Sequence, residues 1–141
     1  MTQELDSGNL MLTIAAGFKS GNLEPLFAAI AADVTWKVMA PREFFRFGGV
    51  YHGVSGVREY TALLFFDYHF ARLKPLTVTA KGDEVWGLFD AEALHRPSGR
   101  YVRSLVSVYW LMKDGRIAEH QGFFDTAGVL IQQGDLAVEA A

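Results

Sequence analysis

Apolar residues at helical spacing open the chain. Leu10, Ile14 and Phe18 recur four positions apart, with Met11 and Ala15 beside them, which predicts an amphipathic helix. Gly21-Asn22 ends it, because glycine accepts a left-handed backbone and Asn22 can cap whatever follows. Leu23, Leu26, Phe27 and Ile30 then form a second helical stripe. From Val34 the period falls to two. Val34-Thr35-Trp36-Lys37-Val38-Met39 alternates and carries β-branched residues, predicting a strand that stops at Pro41. Arg42 to Gly49 reads as an aromatic, basic loop. Gly53 and Gly56 bracket Ser55, a cap for a third helix carrying Val57, Tyr60, Thr61, Leu64 and Tyr68.

The second half alternates without helical interruption. Leu76 to Ala80 predicts a strand turned by Lys81-Gly82-Asp83, and Val85 to His95 predicts its successor. Pro97-Ser98-Gly99 turns the chain into Tyr101 to Met112. Asp114-Gly115, both tolerant of positive φ, marks a tight hairpin into a last strand from Ile117. A short apolar tail, Ala127 to Gln133, follows, and Asp125 is placed to cap it as a helix. Helices grouped before a run of hairpin strands indicate an α+β fold with helices packed on one sheet face. No repeat or linker divides residues 1–141, so one domain is expected.

Composition narrows the function classes. Half of the residues are apolar and the net charge is −3, which gives no electrostatic case for nucleic acid or an anionic membrane. The absence of cysteine excludes disulfides and thiolate chemistry. The acidic start Met-Thr-Gln-Glu-Leu-Asp does not resemble a secretory signal, and no apolar run nears the ~20 residues of a membrane span, so a cytoplasmic location is expected. Eleven phenylalanines fit an apolar ligand cavity or a subunit interface as well as they fit an ordinary core. His52, His69 and His95 form no metal-ligand spacing, and no phosphate loop or nucleophile elbow is present; neither a metal nor a cofactor is expected.

The run Lys113-Asp114-Gly115-Arg116-Ile117-Ala118-Glu119-His120-Gln121-Gly122-Phe123-Phe124-Asp125, read with the opening helices, resembles the SnoaL-like branch of the NTF2-like superfamily. The resemblance covers roughly Leu10 to Gln133. It implies a cone, in which a curved, mostly antiparallel sheet wraps around the N-terminal helices and encloses an interior pocket. It also implies a homodimer that meets through the outer sheet face. Ketosteroid isomerases share this fold and use an Asp base with a Tyr and a protonated Asp as donors to the oxyanion. Laid over this chain, those positions fall on Val38, Ile14 and Ser107. Two of them are hydrocarbon, so that proton-transfer route is not expected here.

The same overlay turns His120, Gly122 and Phe124 inward on the last strand, and Trp36 and Val38 share one face of the first. Ser107 then carries Arg103, Leu105 and Tyr109 to the same side, provided no bulge intervenes. Across Pro97-Ser98-Gly99, pairing His95 with Arg100 sets Glu92 opposite Arg103 and Asp90 opposite Leu105. Pairing Pro97 with Arg100 shifts the partners but keeps Asp90 and Glu92 on the face of Ser107. An intermediate register puts Phe89 and Ala91 there instead. A cross-strand Glu92–Arg103 pair, stabilising by roughly 0.2–1 kcal/mol, favours the first.

His120 is the leading acid/base candidate, since its ordinary pKa near ~6.5 suits both roles at neutral pH. The alternative is a satisfied structural histidine. In the resembling cyclases this strand carries an acid that helps close rings; here Gln121 stands where a Trp is familiar and Gly122 where many relatives carry an acid, which widens the cavity. Asp90 and Glu92, in an otherwise apolar strand, are candidates for assisting proton transfer beside Arg103, or for an ion pair on a solvated or dimer face. Phe44, Phe45 and Phe47 offer apolar cover for the pocket mouth, or for a subunit interface. Trp36, Val38, Arg103, Ser107, Tyr109, Gly122 and Phe124 are expected to line the ligand site. The expected ligand is a small apolar or polycyclic molecule, handled by isomerase, cyclase or hydrolase chemistry or simply bound; an interaction domain without chemistry is the alternative.

Overall fold

Two helices, α1 (Thr2–Ser20) and α2 (Glu24–Ala29), lead into the sheet in the computed structural model, which describes residues 2–137. Strands β1 (Ile30–Val38) and β2 (Gly49–His52) precede α3 (Gly53–Asp67). The long strands β3 (Tyr68–Lys81), β4 (Glu84–His95), β5 (Arg100–Lys113) and β6 (Arg116–Phe124) follow, and α4 (Thr126–Gln133) closes the described chain. The six strands form one curved, unclosed sheet in the order β2-β1-β6-β5-β4-β3. Every neighbouring pair is antiparallel except β1 and β6, which run parallel. Helix α1 packs across β3, α3 across β1 and α4 across β5. The α+β cone expected from the sequence is the fold observed.

Local chemistry accounts for the turns. Asp114 and Gly115 hold φ of 52° and 75°, so the tight β5–β6 hairpin uses the left-handed backbone that these residue types tolerate. The Asp125 carboxylate accepts from Gly128 N at 3.0 Å and caps α4, while Gly134 ends it at φ 89°.

Several boundaries differ from the sequence pattern. Ile30 begins β1 rather than ending α2, and Tyr68 begins β3 rather than ending α3. Strand β3 extends back to Tyr68 through Pro75, which is tolerated because β3 is a sheet edge and its ladder is irregular between Pro75 and Thr77. Strand β2, too short to show a period, emerges from the end of the aromatic loop and pairs with β1.

One irregularity decides which side chains face inward. At the hairpin, Lys113 pairs with Arg116 and Met112 with Ile117, but Leu111 pairs with Glu119. Ala118 is therefore an extra residue in β6, a bulge that shifts the register by one beyond it. Trp110 thus faces His120, and Val108 faces Gly122. The β4–β5 hairpin is regular and has the register favoured by charge: His95 opposite Arg100, Glu92 opposite Arg103, Asp90 opposite Leu105.

Candidate functional site

The concave face of the sheet and the helices across it enclose a cavity of about 160 Å³. Helix α1 contributes Met11 and Ile14, and β1 contributes Trp36 and Val38. Strand β4 adds Phe89, Ala91 and Ala93; β5 adds Val106, Val108 and Trp110; β6 adds His120, Gly122 and Phe124. Two-residue alternation delivers each set to one side. Among the described residues, no Asp, Glu, Lys or Arg lines the cavity. The aromatic loop after β1 turns Phe45 and Phe47 into the cavity, where both pack on Phe124, and leaves Phe44 in solvent.

His120 sits inside this wall, 6% exposed. Its ring lies parallel to Trp36, with centroids 3.6 Å apart. On its edge, Trp110 Nε1 donates to His120 Nδ1 at 3.0 Å. An indole nitrogen only donates, so Nδ1 is the acceptor and the ring hydrogen resides on Nε2. Burial lowers the His120 pKa from 6.5 to about 3 by penalising the charged form. Gly122 leaves space next to Nε2, because a Cβ there would stand 3.1 Å from that nitrogen.

Further polar groups belong to this wall. Tyr60, on α3, places its ring 5.6 Å from Trp36 and is 8% exposed. Burial pushes its phenol pKa well up, and the neighbouring Trp36 indole offsets this only in part. Trp36 is 1% exposed, and its Nε1 has no partner of hydrogen-bonding geometry among the described residues. At the far side of the cavity, the Tyr68 hydroxyl donates to Gln133 Oε1 at 2.6 Å.

The sequence expectations divide along the bulge. Trp36, Val38, His120, Gly122 and Phe124 line the cavity. Arg103, Ser107 and Tyr109 do not, and neither do Asp90 and Glu92; all are corrected to the outer face of the sheet, as is Leu105. There Asp90 is held by Arg72 at 2.9 Å and Arg103 at 3.3 Å, with Glu92 3.8 Å from Arg103. Tyr109 packs on Trp86 with ring centroids 4.6 Å apart. These carboxylates form an exterior ion network and are not part of the cavity lining. The residues missed were Tyr60 and Trp110. Tyr60 was visible as part of the α3 stripe, whereas Trp110 depended on a register that the sequence did not reveal. Among the described residues, no three His, Asp or Glu side chains are grouped to hold a metal ion, and no helix is long and apolar enough to cross a membrane.

Residues 13–120 match the SnoaL-like domain family, and the chain belongs to it. Among curated proteins, none matches the sequence. Solved structures share the fold at low identity. An NTF2-like protein of unknown function from Burkholderia pseudomallei is 21% identical, covering 90% of this chain and 96% of that one, with a TM-score of 0.78. A protein with a ketosteroid isomerase-like fold from Catenulispora acidiphila, crystallised with trimethylamine, is 17% identical over 89% and 92%, with a TM-score of 0.76. TerC, co-crystallised with polyporic acid, is 22% identical over 89% and 96%, with a TM-score of 0.75.

Proposed function

We propose that this protein binds a small, largely apolar molecule inside the cone, with His120 as a neutral hydrogen-bond donor rather than a proton-transfer group. The observation that carries this reading is a cavity of about 160 Å³ whose wall is free of charged side chains. Such a volume suits one ring: an apolar cavity of ~150 Å³ takes up benzene. A polycyclic molecule would require the walls to move. Trimethylamine and polyporic acid in the structures of two fold neighbours support use of this architecture for small molecules.

Acid/base isomerase, cyclase or hydrolase chemistry by His120 is disfavoured on this reading. With a pKa of about 3 the ring is neither a useful base nor an acid at neutral pH. Catalysis, where it occurs, would instead polarise an acceptor on the ligand through Nε2–H. Trp86, Tyr101 and Leu105 are large exposed side chains on the outer sheet face and support homodimerisation there.

Thermal shift and calorimetric titration with ethylbenzene test the binding reading. Ethylbenzene is expected to raise the melting temperature of the wild type. Val108→Phe, which fills the cavity, is expected to abolish that rise while circular dichroism remains native. No binding to the wild type, or equal binding to the filled variant, refutes the site.

A further inference from the structure

We infer that the molecule held in this cavity presents a neutral carbonyl oxygen to a donor cluster formed by Trp36, Tyr60 and His120. This rests on the cavity being a small-molecule site, and it adds the chemistry of the occupant. Buried polar groups in folded proteins are nearly always paired, so those left unpaired call for a partner. Trp36 Nε1 is buried without one among the described residues. Tyr60 approaches that indole, but an indole cannot accept, so the phenolic hydrogen has no acceptor among the described residues. His120 Nδ1 is occupied by Trp110, which leaves Nε2–H as a donor beside the space opened by Gly122.

These groups share one region of the wall. The Trp36 ring lies 3.6 Å from His120 and 5.6 Å from Tyr60, and all three line the cavity. Each offers a hydrogen, and the lone pairs left in the cluster are those of Tyr60 Oη, which the Trp36 indole approaches. A ligand hydroxyl or amine placed here brings a hydrogen that only Tyr60 Oη, already approached by the Trp36 indole, could accept, whereas a carbonyl oxygen only accepts and has two lone pairs for the cluster. The remaining polar side chains of the wall are already engaged: Ser104 Oγ donates to Leu105 O at 2.8 Å, and Tyr68 donates to Gln133. With no cationic side chain in the wall, a carboxylate would enter uncompensated, so the occupant is neutral. A single-ring ketone meets every condition.

Acetophenone, α-methylstyrene and benzoate separate the possibilities by calorimetric titration against the whole protein. The first two have nearly the same shape and differ in C=O against C=CH2. Acetophenone is expected to bind about fivefold more tightly, the ratio of one net neutral hydrogen bond, and benzoate not measurably. The carbonyl stretch of bound acetophenone is expected to fall in frequency relative to the free ketone. In Tyr60→Phe, which removes a hydroxyl that donates to no protein group, the affinity ratio and the frequency shift should both shrink. Equal affinity for the ketone and the alkene overturns the carbonyl inference and leaves the cavity reading standing. A ratio unchanged in both Tyr60→Phe and Trp36→Phe overturns the donor assignment, and tighter binding of benzoate overturns neutrality. Failure of the ketone and the alkene alike to bind overturns the cavity reading and this inference with it.

Discussion

Trp110 Nε1 donates to His120 Nδ1 across the β5–β6 ladder at 3.0 Å, and that bond fixes which nitrogen of His120 faces the cavity. The pair is 2% and 6% exposed, so water does not compete for either group. With Trp36 stacked on the ring face, His120 is held in position and orientation. Its immobility matters more to the site than its capacity to titrate.

Replacing Trp110 by Phe keeps the packing and deletes the donor. His120 Nδ1 is then a buried acceptor without a partner, and the variant should lose about 1–3 kcal/mol of stability. The more specific consequence is electronic. Ring ¹⁵N shifts of His120 should report a single Nε2–H tautomer in the wild type and a mixture in Trp110→Phe. An unchanged single tautomer in the variant would show that Trp110 does not set it.

Acid should unfold the protein through His120. The folded state keeps the ring neutral down to about pH 3, whereas the unfolded chain protonates it near 6.5. Between those values the unfolded state binds more protons, so stability falls as pH falls, by about 1.4 kcal/mol per pH unit for one group. Above pH 7 this contribution is flat. His95, whose pKa burial also lowers against the opposing pull of Asp135 and Asp67, adds a dependence of the same sign. Urea unfolding at pH 4 to 7 should show the slope, and His120→Gln should reduce it by about one proton. Equal slopes in the two proteins would place the titration elsewhere.

Gly122→Ala tests how rigid the ring is. The added Cβ would meet His120 Nε2 at 3.1 Å. A loosely held side chain would yield by a few tenths of an ångström. His120 cannot, being clamped by Trp36 and Trp110, so the substitution should cost roughly 1–3 kcal/mol by overpacking and weaken ligand binding at Nε2. Neutral stability with unchanged affinity would mean that the ring is free to move.

How far the site was legible in the sequence is set by one residue. The Asp114-Gly115 turn was visible, and continuing its two-residue hairpin without interruption places Tyr109 opposite His120 and Ser107 opposite Gly122. That is the inward set the sequence implied. The bulge at Ala118 exchanges them for Trp110 and Val108, because one inserted residue reverses every side chain beyond it. Nothing in Ile117-Ala118-Glu119 marks the insertion, since a bulge of this kind accepts ordinary residue types. Trp36, Val38, His120, Gly122 and Phe124 lie on β1 and β6, whose facing does not depend on that register, and all five line the cavity. Asp90 and Glu92 were paired correctly but inherited the wrong side from Ser107.

The outer-face position of Asp90 has a direct test. Its ion pairs with Arg72 and Arg103 are partly solvated, as the arginine side chains are 46% and 58% exposed. Asp90→Asn should therefore change stability by no more than about 1 kcal/mol and leave ligand affinity at its wild-type value. A tenfold loss of affinity would return this carboxylate to the site.

The loop that carries Phe45 and Phe47 into the cavity is fastened from outside by Arg46. Its Nε lies 2.7 Å from Asp67 Oδ2, while Asp67 Oδ1 is buried without a partner among the described residues. Arg46 also lies over Phe66, 4.8 Å from the ring centroid. Cutting this bond from either side should have unequal effects. Arg46→Ala strands a buried carboxylate, which should cost about 1–3 kcal/mol after allowance for the half-exposed arginine, and should free the loop so that ligand dissociates faster. Adding Asp67→Asn to Arg46→Ala removes the stranded charge and should recover part of the stability, but not the slower release, because the fastening is still gone. Stopped-flow dissociation of a bound ketone beside urea unfolding separates the two effects. If the double variant regained both together, the charge alone would matter and Arg46 would have no part in holding the loop over the cavity.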